Sequence, residues 1–341
     1  MISFESDYNN GMCPEILRRL CETNGETETG YLLDEFSLSA VEKIKKACEC
    51  PEAEVYLTVG GTQANALVIG TVLEQYQGVM AAKTGHISLH EGGAIEFTGH
   101  KVLEVPQELG KVVPDALEAY LEVFYADENA DKMVYPGMLY ISHPTEYGTL
   151  YSKAELTVLS DICHRYGMQL YLDGARLGYA LAAENTDVTL ADLARLCDIF
   201  YIGGTKVGAL CGEAIVFTKN NMPSHFRTVA RQRGAMIAKG RMLGVQFDTL
   251  FTDNLYCRLG AHAIAAAMRI KNLFLSKGYR LFIDSPTNQQ FIILEDKKLE
   301  ELKPKVGFCF WEKYDETHTV VRFASSWATK DSDIDYLETV L

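Results

Sequence analysis

No stretch of this chain stays apolar for the roughly 18 residues that a membrane-spanning helix needs; its 48% hydrophobic content is spread over 341 residues in short runs. Positive charge is scarce. The 32 Lys and Arg against 46 Asp and Glu leave a formal charge of −14, which argues against a nucleic-acid-binding face, because neutralising phosphates takes clustered Lys and Arg. Paired cysteines are missing too. There are nine Cys, an odd number; Cys48 and Cys50 form CxC rather than CxxC, and Cys13, Cys163, Cys197, Cys211, Cys257 and Cys309 are scattered, as expected of reduced thiols. The start, Met1-Ile2-Ser3-Phe4-Glu5-Ser6-Asp7, carries acids and no basic-then-apolar pattern, so it does not read as a secretory signal. GxGxxG, GxxxxGK[ST] and HExxH are all absent, so dinucleotide, nucleoside triphosphate and zinc-protease readings lose their usual support. There is no repeat or low-complexity tract. These absences predict a soluble cytoplasmic protein, long enough for one large and one small domain.

Between about residues 50 and 220, short apolar runs alternate with helical patterns. Glu54 to Val59 reads as a strand and Ala64 to Tyr76 as the helix after it. Gly78 to Ala82, Lys101 to Val105, Met138 to Ser142, the runs ending at Asp173 and Ile202, and Ala214 to Phe217 read as further strands. Pro114 starts a helix, and Ser152-Lys153-Ala154-Glu155 is a capping box. This alternation predicts an α/β fold, a mostly parallel sheet with helices on both faces, over residues 1–250. Asn254 to Lys277 reads as a long helix leading into a smaller α+β domain over residues 251–341. That domain would hold strands at Phe291 to Leu294, Phe308 to Trp311 and Val320 to Phe323, with an acidic helix from Asp331.

Ligands of such sheets gather beyond the carboxyl ends of the strands. Three segments fall there. Gly60-Gly61-Thr62-Gln63-Ala64-Asn65 sits between a strand and a helix, where free N–H groups bind a phosphate; it also reads as a plain glycine turn with Thr62 as N-cap. Asp173 ends the run Gln169-Leu170-Tyr171-Leu172, where a buried carboxylate needs a partner. A pyridinium N–H would serve, as would Arg176 or a capped helix. Lys206 follows Gly203-Gly204-Thr205 at the next strand end. Burial there would free its amine for Schiff-base chemistry, although a solvated loop lysine fits as well. Acid and lysine together, with a phosphate turn before them, fit a pyridoxal 5'-phosphate site.

Other residues carry weaker signals. His86 and His90 stand at i, i+4, but no third ligand is evident and no metal is expected; an imidazole stacked on a flat ring is the better reading. Arg322, inside the apolar Val320-Val321-Arg322-Phe323, suits a bidentate grip on an α-carboxylate or an internal salt bridge. Arg227 to Arg233 with Lys239 forms the main basic cluster, a solvated face or a reach into a neighbouring subunit.

These residues resemble the threonine aldolases, in the β-eliminating-lyase branch of fold-type I pyridoxal phosphate enzymes, and the low-specificity L-threonine group above all. The likeness runs through Ser6-Asp7, Gly11 to Leu17, Tyr31 to Glu35, Gly60 to Asn65, His86 to Gly93, Leu172 to Arg176 and Thr205-Lys206 to Arg322. It implies that Lys206 carries the cofactor, with Thr205 beside it, and that Asp173 pairs with the pyridine nitrogen. Arg176 would lie near the cofactor or substrate oxygens, and His86 would stack on the ring. Gly61, Thr62 and Asn65 would hold the phosphate, and Ser6 and Arg322 the substrate carboxylate. Tyr31 and the Arg231-to-Lys239 region would approach the site of an adjoining subunit, in a homo-oligomer (dimer or tetramer) with shared active sites. Ser142-His143-Pro144-Thr145-Glu146 departs from the family's Asn-Thr-His segment: Glu146 takes the histidine's place and His143 lies three residues earlier, both candidates for the substrate's hydroxyl.

The reaction that the resemblance implies is cleavage of the Cα–Cβ bond of L-threonine or L-allo-threonine to glycine and acetaldehyde, with His86 as the base. A β-eliminating lyase or aminotransferase on the same scaffold is the enzyme alternative, and a non-catalytic cofactor-binding homologue the other.

Overall fold

The alternating pattern builds a seven-stranded sheet in the computed structural model, which describes residues 2–341. In spatial order the strands are Glu54–Thr58, Glu213–Phe217, Ile199–Gly203, Gln169–Asp173, Tyr135–Ser142, Gln77–Ala82 and Val102–Val105. Neighbours pair in parallel except Glu213–Phe217, which runs antiparallel to both of its flanking strands. Every residue of Ile199–Gly203 and Glu213–Phe217 is buried, the mark of strands covered on both faces.

Local signals set the helix starts. Pro14 and Pro114 occupy first-turn positions, where the missing N–H costs nothing. Ser152 and Glu155 cap each other reciprocally, Ser152 Oγ accepting from Glu155 N at 3.2 Å and Glu155 Oε2 from Ser152 N at 2.7 Å. The helix after the first strand spans Gly61–Val72, not Ala64 to Tyr76. It begins within the glycine turn and stops where Leu73 turns extended, at φ −80° and ψ 140°. This helix carries the chain from one edge strand towards the opposite side of the sheet, and the strand order reverses there.

Register aligns the functional end of the sheet. Ser142 stands beside Asp173, and Glu213 stands between Thr58 and Gly203. Because its strand is reversed, Glu213 reaches this edge from an amino end, where its neighbours present carboxyl ends.

A second sheet orders Arg280–Ile283, Gln289–Glu295, His318–Ala324 and Cys309–Lys313, all antiparallel. The long helix Leu255–Ser276 ties it to the first. Leu255, Tyr256, Ala263 and Ile264 belong to the large core, while Ala266, Ile270 and Phe274 pack with Ile292, Leu294, Phe323 and Leu337 in a separate one. The N-terminal segment, expected with the large unit, begins in the small one. Ile2–Ser3 pairs with Val306–Gly307, and Phe4 enters the small core, its carbonyl accepting from Ala324 N at 2.8 Å. An apolar Phe4 placed between two hydrogen-bonding edges explains that docking.

Candidate active site

The aligned strand ends open into a cavity lined by Gly60, Gly61, Thr62, His86, Glu91, Ser142, Glu146, Asp173, Arg176, Tyr201, Thr205, Lys206 and Glu213. Sequence reasoning had gathered most of this set. An outer cavity adjoins it, sharing His86, Glu146, Arg176 and Lys206 and adding Tyr8, His90, Gln289, Trp311 and Arg322.

Asp173 is the buried centre. Its Oδ1 accepts from Tyr201 Oη at 2.5 Å and Ala175 N at 2.9 Å; its Oδ2 accepts from Tyr140 Oη at 2.6 Å and Asn65 Nδ2 at 3.1 Å. Burial alone would push this carboxyl up. His86, when its ring is protonated, and the two phenol donors outweigh it, and Asp173 is held below the ordinary carboxylate range. The backbone after it is equally constrained: a Cβ on Gly174 would collide with the Tyr201 carbonyl.

His86 opens a one-turn helix, His86–Leu89. Its Nδ1 lies 2.8 Å from Glu91 Oε1, and the same oxygen accepts from Asn65 Nδ2 at 2.7 Å. A carboxylate at Nδ1 assigns the ring proton there and leaves Nε2 with its lone pair. Glu146 Oε1 accepts from His86 N at 2.9 Å and from Ser142 Oγ at 2.7 Å. Burial pushes the Glu146 carboxyl up, and the Asp173 charge adds to that.

Lys206 faces both cavities, its Nζ 5.9 Å over the Tyr8 ring. The site's ion pair is Arg176–Asp7, and Lys206 and Arg322 have none among the described residues. Burial and the Arg176 charge lower the Lys206 amine's pKa, against the pull of Asp7 and Asp173. Glu213, which the sequence did not single out, accepts from Gly204 N at 3.0 Å just ahead of Lys206, and burial pushes it up to about 8. At the glycine turn, a Cβ on Gly61 would stand 2.9 Å from Tyr201 Oη, so glycine is what lets the turn lie against that phenol.

The Arg176 fork is filled by Asp7, with Nε to Oδ2 at 2.6 Å and Nη2 to Oδ1 at 3.0 Å. Asp7 resists burial through Arg176, Lys206 and Asn288, which bring its carboxyl to about 2. Arg322 is different. Its Nη1 donates to Gln289 Oε1 at 3.0 Å and its Nη2 to the Glu5 carbonyl at 3.1 Å, and no carboxylate faces it. Burial and the Arg176 charge lower its pKa. This is a half-buried cation with no anion beside it.

Four expected residues, Asn65, His143, Tyr31 and Ser6, line neither cavity. Asn65 is buried beneath Asp173, its amide spent on Glu91 and Asp173 and its oxygen on Tyr171 Oη at 2.8 Å, so its side chain does not hold a phosphate. His143 is wholly buried outside both cavities, with Nδ1 accepting from Tyr151 N at 3.3 Å, and burial brings its pKa to about 4. It is a neutral structural imidazole, not a substrate contact. Tyr31 lies outside its own chain's cavities, with the Arg231 guanidinium 5.1 Å over its ring. Ser6 has a buried hydroxyl without a partner, next to Glu5. Asp7 and Glu91 were within reach of the sequence, inside segments that carry the resemblance. Tyr140 and Tyr201 were not, because a tyrosine in an apolar strand reads as core.

A family model for β-eliminating lyases matches residues 3–290. Low specificity L-threonine aldolases of Pseudomonas sp. (strain NCIMB 10558) and Pseudomonas aeruginosa are 29% identical over 334 and 335 residues, 97% of this chain and 94% of each relative. A solved threonine aldolase of Leishmania major superposes with a TM-score of 0.95 at 39% identity, over 100% of this chain and 98% of its own. A Thermus thermophilus aspartate aminotransferase superposes with a TM-score of 0.70 at 15% identity, over 100% and 92%, a likeness of fold alone. The expected fold-type I architecture is thereby borne out. With sequence match, fold and the order of its site residues in agreement, the chain belongs to the β-eliminating lyase family, among the threonine aldolases.

Proposed function

We propose that this chain is a pyridoxal phosphate-dependent aldolase that cleaves the Cα–Cβ bond of L-threonine and L-allo-threonine, giving glycine and acetaldehyde. One observation carries the reading: an unpaired Lys206 amine and the Asp173 carboxylate line one cavity, and an unpaired half-buried Arg322 lines the cavity adjoining it. The residues present fit the cofactor. Lys206 would hold it, Asp173 would keep its ring nitrogen protonated, and the N–H groups of Gly61 and Thr62 at a helix start, with Thr205, would take its phosphate. When bound, pyridoxal phosphate supplies an aldehyde that takes up an amino group and a protonated ring that accepts the electrons of the broken bond.

The protein's part is to bind, orient and move protons. Arg322 binds the α-carboxylate of a β-hydroxy-α-amino acid. Glu91 fixes the tautomer of His86, so that Nε2 takes the β-hydroxyl proton directly or through a water. Glu146, held between Ser142 and the His86 backbone, orients that hydroxyl from the other side. Lys206, lowered by burial, passes between neutral and protonated forms near the reacting carbon.

The test is product analysis with pure holoprotein on L-threonine and L-allo-threonine. Glycine and acetaldehyde in equal amounts are expected. 2-Oxobutanoate with ammonia, or an amino group passed to an added 2-oxo acid, would replace this reading with elimination or transamination.

We also read the chain as a cytoplasmic homo-oligomer, a dimer or tetramer with shared sites. Tyr31 is exposed beside Arg227 and Arg231, away from its own chain's cavity, and Leu33 and Leu38 are exposed as well, which supports a role at a neighbour's. Among the described residues no helix is long and apolar enough to cross a membrane. Light scattering that finds a monomer at assay concentrations would overturn the shared-site reading.

A further inference from the structure

Gln289 opens the strand Gln289–Glu295, is 1% exposed, and lines the outer cavity beside Arg322. Its amide orientation is fixed by its partner. Arg322 Nη1 donates to Oε1 at 3.0 Å, and a guanidinium has no acceptor, so the flipped amide would set donor against donor. The Gln289 NH2 is then left with no acceptor at all. Arg322 Nε and the Ser6 hydroxyl share that condition. Buried polar groups are nearly always satisfied, and an orphan costs far more than a made bond returns. An orphan amide NH2 beside a half-buried guanidinium whose own Nε is also unpaired is therefore a demand for an anionic acceptor from outside the fold.

No neighbouring acid meets that demand. Asp7 is spent on Arg176 and Asn288, Glu146 on Ser142 and the His86 N–H, and Glu312 accepts from Tyr147 Oη at 3.3 Å. Arg322 itself donates to Gln289, the Glu5 carbonyl and the Cys309 thiol and lies 5.6 Å over the Trp311 ring, none of them an anion.

We propose that Gln289 is a second carboxylate-binding residue of this site: its NH2 donates to one oxygen of the substrate's α-carboxylate, while its carbonyl holds the Arg322 guanidinium for the other. The proposal rests on the reading that an amino acid occupies the cavity, and it goes further by dividing the carboxylate between a neutral amide and a cation. A site built this way selects a planar anion. It disfavours a carboxamide, whose NH2 would face donors, and an amine that carries no carboxylate.

The experiment titrates holoenzyme with glycine and with ethanolamine, reading the change in the cofactor's visible band, for the wild type, Gln289→Met, Gln289→Glu and Arg322→Gln. Gln289→Met removes the donor, and the glycine dissociation constant should rise about tenfold. Gln289→Glu keeps an acceptor for Arg322 but turns an oxygen towards the ligand's carboxylate, and the rise should be about a hundredfold or more. Ethanolamine binding should move less than about twofold in both, a split that a general packing defect would not give. The two variants are independent, so failure of one to take up cofactor leaves the other to decide. Glycine affinity unchanged in the Gln289 variants but lost in Arg322→Gln overturns the proposal and leaves the aldolase reading standing. Glycine affinity unchanged in Arg322→Gln as well removes the carboxylate site itself. Equal weakening of glycine and ethanolamine makes Gln289 structural and also overturns the proposal.

Discussion

The chemistry of this site depends on a carboxylate that stays charged where burial favours the neutral form. Asp173 achieves that with donors on both oxygens, from Tyr140, Tyr201, Asn65 and Ala175. Asp173→Asn keeps the shape and removes the charge that holds a ring proton. Turnover should fall at least about a hundredfold, roughly 3 kcal/mol on the barrier, while cofactor still binds, as a spectrum recorded beside the rate will show. His86→Asn should lose turnover too, as the proposed acceptance of the hydroxyl proton by Nε2 requires. Turnover that persists in His86→Asn moves that role to Glu146. Asp173 and Lys206 were legible in the sequence because each ends an apolar run with a charge, which is costly unless the charge has work to do. His143 misled for the opposite reason: a histidine near the matching motif carries no mark of which side of the sheet its ring occupies.

Among the elements, the turn from Glu54–Thr58 into Gly61–Val72 has the tightest geometric requirement. Its free N–H groups lie within reach of a phosphate only if Gly61 stays bare beside Tyr201 Oη, 2.9 Å from where a Cβ would stand. Gly61→Ala should weaken cofactor binding about tenfold, the size of one lost hydrogen bond to a charged group. Gly61→Ala with Tyr201→Phe should recover part of it, since the nearest ring carbon is 3.7 Å away. Equilibrium titration of apoprotein with pyridoxal phosphate measures both, and a double variant weaker than the sum of the singles contradicts the steric account. The turn, the alternation and the long helix were all readable, since glycine pairs, period and capping are local signals. The reversal of Glu213–Phe217 was not. An apolar run has no direction, and only the pairing with Ile199–Gly203 shows that Glu213 arrives at the site from the strand's start. That hidden direction is why this acid went unread.

At the scale of the whole molecule, the N-terminal segment joins the two cores across the site. Phe4 packs with the small sheet, and three residues later Asp7 clamps Arg176 at the large one, with Asn288 Nδ2 donating to the same carboxylate at 2.9 Å. The Asp7 pKa is lowered by folding, from 3.8 to about 2. Its stabilisation is therefore fully present above about pH 4 and is lost as pH falls through about 2, to the extent of about 2 kcal/mol. Denaturant unfolding of the wild type should weaken across that window, and Asp7→Asn should be less stable at pH 7 and show a shallower loss. Equal slopes in both would remove Asp7 from the account. No local pattern announces such a clamp, because its partners lie at positions 7, 176 and 288 and only the folded chain brings them together. The central claim, that Lys206 carries the cofactor in front of Asp173, has a direct measurement: borohydride reduction of the pyridoxal phosphate-loaded protein, followed by peptide mass mapping. The account predicts loss of the visible band and one cofactor mass fixed to the peptide containing Lys206, with neither in Lys206→Ala; a label on another lysine, or an unchanged spectrum in Lys206→Ala, would contradict it.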